Sequence, residues 1–314
     1  MKPSEAASLL ESVDNILIVT HKKPDGDTIG SSSALCHALR RLGKTAYLFK
    51  NTEVAPKLLP YCEIYFAPEG FIPDFVVSVD VAAPDMIAKG ANYKYDLVID
   101  HHPTNPGFGR YNCVYGERSA CGEIVLEIVE KMMGNLDVEE ADLLYLAVST
   151  DTGCFLYNNV NAGTFTAASR IMSYGARTVP INNKFFRKVA ISRLKLEGLI
   201  YSNMEFYHDG KVVVVKITKD MIDACNADED DLEDIASLAG RLDTEIVGIT
   251  VRENPDGTSK ISMRSTSDVD SSAVCAYFGG GGHKMASGCT IEADVDKAAK
   301  LLLEVLDSLW TVSS

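Results

Sequence analysis

The chain predicts an α/β fold: a doubly wound, mainly parallel sheet with helices on both faces, then a smaller α+β domain. Three observations carry this. Up to about residue 180, short apolar runs alternate with longer stretches of helical spacing. The apolar runs have no polar face, as expected of strands covered on both sides. After residue 205 the pattern changes to hairpins with Asp-Gly turns.

Taken in order, NILIVT (15–20) reads as a strand and TIGSSSALCHALRRLG (28–43) as a helix stopped by Gly43. TAYLFK (45–50), FVVSVD (75–80) and YDLVID (95–100) are further strands. Helical spacing follows at 120–134, 138–150 and 162–175. The stretch 181–205 is basic and helical and reads as a connector, whose charge is as well explained by a solvated face as by a functional strip. Residues 204–218 form a hairpin turning at Asp209-Gly210, and 244–265 a second turning at Asp256-Gly257. Between them DEDDLEDIASLAG reads as an acidic amphipathic helix, and the last helix covers 294–310. The expected organisation is a domain at 1–180, a helical linker at 181–205 and a second domain at 206–314.

Composition bounds the function. The 314 residues carry a formal net charge of −14, which argues against long duplex nucleic acid as a ligand but leaves room for a small anion met by local positive charge. No apolar run approaches the roughly 20 residues that span a bilayer. The opening MKPSEAASLLES turns acidic too early for a signal peptide, so a cytoplasmic location without membrane partners is expected. The eight cysteines form no CxxC pair and read as reduced thiols.

Open parallel sheets bind ligands beyond the carboxyl ends of their strands. The run at 15–20 ends into His21, Asp25 and Asp27; that at 75–80 ends on Asp80; that at 95–100 ends on Asp100, His101 and His102; and the helix at 138–150 runs into Asp151. Singly, an aspartate after a strand is as readily a helix cap or turn former. Together these residues would meet on one sheet edge. Four aspartates with imidazoles and no thiolate suit two divalent cations, Mn²⁺ ahead of Zn²⁺.

HKKPDGDTIGS, VSVD, DHHPTN and STDTGCF resemble, in order, the four motifs of the DHH phosphoesterase superfamily. SMRS (262–265) and FGGGGHKMASG (278–288) resemble its DHH-associated C-terminal domain, and the compact two-domain form is most similar to the oligoribonuclease and 3′-phosphoadenosine 5′-phosphate phosphatase branch. The resemblance implies that His21 and Asp25 hold one metal, Asp27, His101 and Asp151 the other, with Asp80 bridging. It implies that Asp100 orients an imidazole and that His102 meets the substrate phosphate or leaving oxygen. Arg264 and Ser265 would clamp the nucleotide, with Lys284 a weaker candidate. Gly280, Gly281 and Gly282 would form an anion-binding loop, with His283 touching a phosphate. Asn105 lines the site or serves a turn. Ser287 stands where the family more often has alanine. The implied reaction is in-line attack of a metal-activated hydroxide on phosphorus, with substrate in the inter-domain cleft, cleaving short single-stranded RNA and 3′-phosphoadenosine 5′-phosphate. Many members are homodimers. The alternatives are a cyclic-dinucleotide phosphodiesterase, a manganese inorganic pyrophosphatase and a non-enzymatic nucleotide-binding protein. The C-terminal SMRST and glycine run, in place of a basic cluster, argue against the pyrophosphatase.

Overall fold

The computed structural model describes residues 1–232, 235–241, 246–266 and 268–309, which divide into two compact units, Met1–Lys188 and Val189–Ser314. In the first, strands β1 (Ile16–Val19), β2 (Ala46–Leu48), β3 (Phe75–Val79), β4 (Leu97–Asp100) and β5 (Tyr111–Val114) form a sheet in the order β2-β1-β3-β4-β5. Every neighbouring pair is parallel, with Ile16 opposite both Ala46 and Phe75. The chain moves one way from β1 to β2 and the other way from β1 to β3, so the switch point, where such sheets bind ligands, lies between β1 and β3.

Helices α1 (Pro3–Ser12), α2 (Gly26–Arg41), α3 (Cys121–Met133), α4 (Val138–Asp151) and α5 (Ala162–Ser173) pack on one face. Strand alternation sends Ile16, Ile18, Val77, Val79 and Ile99 into that core. Leu17, Val19 and Val76 point the other way, where Tyr47, Phe49, Phe71, Ala88, Ala91 and Tyr95 cover them. The α/β class is as expected, but among the described residues no α-helix contributes to this second cover. The connection from β3 to β4 contains Pro84 and Gly90 and builds only a 3-10 turn, Pro84–Met86. Helix α1 and strand β5 are additions to the sequence reading. Pro3 suits the first helical turn of α1, which buries Ala6, Ala7 and Leu10.

Helices α2 and α4 pack closely, and two glycines permit it. A Cβ on Gly30 would lie 2.4 Å from the Leu143 carbonyl oxygen, and one on Gly26 would lie 2.4 Å from Thr150 Oγ1. Both glycines sit one turn apart on the same helical face. Gly26 therefore serves close packing at the start of α2, rather than an unusual chain path before it.

After α6 (Thr178–Asn182) and a π-helical turn at Asn183–Arg187, the second unit opens with α7 (Ile191–Ser202), whose Leu196 and Ile200 join that unit's core. Its described strands are β6 (Glu205–Tyr207), β7 (Val212–Ile217), β8 (Val247–Glu253), β9 (Ser259–Ser265), β10 (Gly281–His283) and β11 (Ala286–Ile291), ordered β10-β11-β9-β8-β7-β6. Only β7 and β8 run parallel among these pairs. Both expected hairpins are present, with Gly210 at φ +85° and Gly257 at +81° in their turns. Helices α8 (Lys219–Cys225), α9 (Ser271–Ala276) and α10 (Val295–Leu309) complete the unit; α9 and α10 cover one face.

The acidic helix expected at 228–240 is instead two 3-10 stretches, Asp230–Leu232 and Ile235–Gly240, with residues 233 and 234 outside the described chain. The reason is visible in the burial. Leu232, Ile235 and Leu238 enter the core at a spacing of three, the 3-10 period.

Candidate metal centre and active site

The site grows from the carboxyl ends of β1, β3 and β4 and from the end of α4. Beyond β1, His21 Nδ1 lies 2.7 Å from the Lys22 carbonyl oxygen. A carbonyl only accepts, so Nδ1 carries the proton and Nε2 is left with its lone pair. The same holds for His101, whose Nδ1 donates to the Arg118 carbonyl at 3.1 Å. Both Nε2 atoms face carboxylates. His21 Nε2 is 3.9 Å from Asp25 Oδ2. His101 Nε2 is 3.8 Å from Asp27 Oδ2, 3.4 Å from Asp80 Oδ1 and 3.6 Å from Asp151 Oδ2.

Each aspartate is held by the fold. Asp25 is the N-cap of α2 and accepts from the Thr28 amide at 3.0 Å, with the Thr28 hydroxyl oxygen also 3.0 Å away. Burial pushes its carboxyl up, but the nearby His21 imidazole and the Thr28 donors outweigh this and hold it at about 2. Asp27, in the first turn of α2, accepts from Ser31 Oγ at 2.8 Å and from the amides of Cys121 at 2.6 Å and Gly122 at 3.0 Å. Those amides open α3, which has no side-chain cap of its own, so Asp27 caps that helix from across the fold. Asp80 follows β3 in a left-handed backbone conformation, φ +58°, and accepts from Thr28 Oγ1 at 2.6 Å. Its Oδ1 is buried without a hydrogen-bond donor. Asp151 is the last residue of α4.

Asp100 is fully buried. It accepts from His102 Nδ1 at 2.8 Å and from Asn105 Nδ2 at 2.6 Å. The hydrogen bond to Asp100 raises the His102 imidazole to about 9. Asn105 also donates to the Val81 carbonyl at 3.0 Å, tying the segment after β4 to the segment after β3.

The ligand-type atoms fall into overlapping groups: His21, Asp25 and Asp80; Asp27, His101 and Asp151; and Asp80, His101 and His102, each set within 4.8 Å. Asp80 belongs to two of them. The unit 1 residues singled out in the sequence therefore all gather at one site. Sequence reasoning missed the groups that orient them. Thr28, three residues after Asp25, is legible as a cap partner. Ser31 and the Arg118 carbonyl carry no local signal, nor do the amides of Cys121 and Gly122.

In unit 2 the expected glycine loop is a strand. Gly281, Gly282 and His283 form β10, paired with Gly288, Ser287 and Ala286 of β11. A Cβ on Gly280 would lie 2.3 Å from the Gly288 carbonyl oxygen, and one on Gly282 2.5 Å from that of Ala286, whereas Gly281 faces open space. Close approach to β11 explains Gly280 and Gly282 where a free anion loop was expected. Arg264 pairs with Ala286, which pairs with His283, so Arg264 and His283 share a sheet face across a small residue. The Ser265 hydroxyl donates to the Val269 carbonyl at 2.9 Å, within its own loop. Ser287 is buried, and its hydroxyl donates to the Ser271 carbonyl at 2.7 Å, so the extra oxygen relative to alanine has a partner.

Comparison with known proteins adds the family. Residues 15–148 match the DHH family, N-terminal domain, and residues 209–310 match the DHHA1 domain. The bifunctional oligoribonuclease and PAP phosphatase NrnA of Thermus thermophilus is 30% identical over 305 residues, 96% of this chain and 92% of that protein. The chain belongs to the DHH family. It is thereby a phosphoester hydrolase. A crystal structure of an exopolyphosphatase-related protein from Bacteroides fragilis superposes with a TM-score of 0.82 at 25% identity, covering 98% of this chain and 96% of that one. The cyclic-di-AMP phosphodiesterase PdeA of Listeria monocytogenes is 25% identical over 96% of this chain, which spans 49% of that relative.

The DHH-family site has the donor chemistry for divalent cations. Burial, and then repulsion from neighbouring aspartates, raises Asp27 well above the carboxylate range; burial with repulsion from Asp25 raises Asp80. Burial is also the largest cause that lifts Asp151 to about 6. Crowded buried carboxylates, one with an orphaned oxygen, are stabilised by cations placed among them. Among the described residues no helix is long and apolar enough to cross a membrane.

Proposed function

We propose that this protein is a manganese-dependent phosphoesterase that hydrolyses short oligoribonucleotides to mononucleotides and 3′-phosphoadenosine 5′-phosphate to AMP, in the cytoplasm. One observation carries the reading: Asp80, with a buried undonated oxygen, stands between His21 with Asp25 on one side and His101 with Asp27 and Asp151 on the other. His21, Asp25 and Asp80 would hold one ion, and Asp27, His101, Asp151 and Asp80 the second. When bound, the two ions supply the positive charge that polarises a phosphoryl group and activates water.

The remaining steps belong to side chains. Asp100 fixes the His102 ring through Nδ1, leaving Nε2 to donate a hydrogen bond to the substrate phosphate or to protonate the leaving oxygen. Asn105 and Thr28 hold Asp100 and Asp80 in place. In unit 2, Arg264 and His283 form the proposed row for a substrate anion beside the glycine strand, with Ser265 shaping the loop next to it. The relatives named for oligoribonuclease and PAP phosphatase activity support this substrate class, and the match to PdeA keeps a cyclic dinucleotide as the second reading.

The test is product analysis with Mn²⁺ and, separately, a two- to five-nucleotide RNA, 3′-phosphoadenosine 5′-phosphate, a cyclic dinucleotide and pyrophosphate, with Asp80→Ala as control. Mononucleotides from the short RNA and AMP from the bisphosphate, both lost in the variant, are expected. Turnover of the cyclic dinucleotide alone would move the chain to the second reading. Turnover of pyrophosphate alone would remove the nucleotide role of Arg264 and His283.

A further inference from the structure

The loop that brings His21 and Asp25 to the metal centre also carries Lys22 and Lys23, which are not proposed metal ligands. Lys23 has φ +53°, a left-handed value that side-chain-bearing residues rarely adopt. It also precedes Pro24, and residues before proline are ordinarily held extended. Such a backbone is strained and persists only where the surroundings impose it. They do so here. The Lys22 amide donates to the Met86 carbonyl at 2.7 Å, His21 bridges Ile87, and Asp25 caps α2, so the loop is pinned at both ends.

A glycine at position 23 would take that conformation without strain. A lysine there needs a reason beyond the backbone. The side chain is exposed, and no hydrogen bond or ion pair among the described residues engages its ammonium. The nearby Glu53 is already bonded to Lys89 at 2.9 Å. Lys22 spends one donor on the Asp85 carbonyl at 3.2 Å and keeps two. In a chain of net charge −14, two adjacent lysines thus sit on the exposed loop between His21 and Asp25.

We propose that Lys23, with Lys22 beside it, binds a spectator phosphate of the substrate, one that is not hydrolysed. The inference rests on the phosphoesterase reading above and narrows its substrate class to nucleotides carrying a second phosphate. Lys23 is two residues from each of two proposed metal ligands, on the exposed loop that carries both. Lysine suits the task because its compact charge and three rotatable donors follow a phosphate through more than one position, as a bisphosphate nucleotide and a dinucleotide would require. A local positive charge also draws an anion toward an acidic surface.

The experiment compares substrates that share a reacting bond and differ only in the spectator: 3′-phosphoadenosine 5′-phosphate against 3′-AMP, and pApA against ApA, each with Mn²⁺. Wild-type protein should prefer the member with the extra phosphate. Lys23→Gly should lower that preference in kcat/KM about tenfold, through KM, as expected for loss of a hydrogen bond to a charged group. The salt dependence of kcat/KM should become shallower as one phosphate contact is lost. Its melting temperature should match or exceed that of the wild type, because the strain is relieved. Lys23→Asn, which also accepts left-handed backbone, should behave alike, and Lys131→Ala, on α3, should leave the preference intact. An unchanged preference in both Lys23 variants overturns the proposal while leaving the phosphoesterase reading standing. Wild-type protein that cleaves pyrophosphate but none of the four nucleotides overturns both, and needs no variant to show it.

Discussion

Thr28 is the residue on which the centre turns, although it is not itself a proposed ligand. Its hydroxyl lies 2.6 Å from Asp80 and 3.0 Å from Asp25, so one oxygen sets the distance between two proposed ligands. Thr28→Val keeps the shape and removes the donor. It should weaken Mn²⁺ binding by about tenfold or more with little change in fold, read by metal titration beside circular dichroism. Asp100 acts one step from the substrate through the His102 ring. Asp100→Asn should lower kcat by about a hundredfold while metal content stays that of the wild type, read by single-turnover kinetics with elemental analysis. A parallel loss of metal would instead make Asp100 part of the ion site.

At the level of elements, the site depends on how closely α2 approaches α4. Gly30 touches backbone of α4, so Gly30→Ala pushes the helices apart or forces local distortion and should cost about 1–3 kcal/mol, seen as a lower melting temperature. Gly281 is the counter-case. Its Cβ position is open, so Gly281→Ala should leave the melting temperature near wild type, whereas Gly280→Ala, against the Gly288 carbonyl, should lower it. Equal losses at both positions would sink the account of β10 as a packed edge strand. Element identities were legible where the apolar pattern was strong, as in β1, β3 and α3. They were not where burial followed another period, as at Leu232, Ile235 and Leu238, or where the strand was short and half-exposed, as at Tyr111–Val114. The glycine run misled because glycine serves loops and close strand contacts equally well, and only the neighbour across the ladder distinguishes them.

Across unit 1 as a folded body, function is held at the expense of stability. Asp25, Asp27, Asp80 and Asp151 crowd one end of the sheet, and burial with mutual repulsion disfavours their ionised forms for all but Asp25. Divalent cations should therefore raise the melting temperature of the protein, and chelation should lower it. Asp80→Asn, which keeps an acceptor for Thr28 and tolerates a left-handed φ, should make the chelated protein more stable than chelated wild type while shrinking the gain from Mn²⁺. Calorimetry of both proteins with and without metal checks this, and a chelated variant less stable than wild type would count against repulsion as the cause.

The sequence by itself determined which chemistry is present: apolar runs with period and length enough for a parallel sheet, and aspartates and histidines at the ends of those runs. Strand order could not be read from it, because every β1-to-β3 connection of similar length is compatible with the same local pattern. Tertiary structure decided that β1 and β3 lie side by side, which puts His21 and Asp25 next to Asp80, and that α3 points its first amides at Asp27. Those contacts join residues far apart in the chain. They arise when the helices and the sheet bury their shared apolar face, a condition that no short stretch of sequence states.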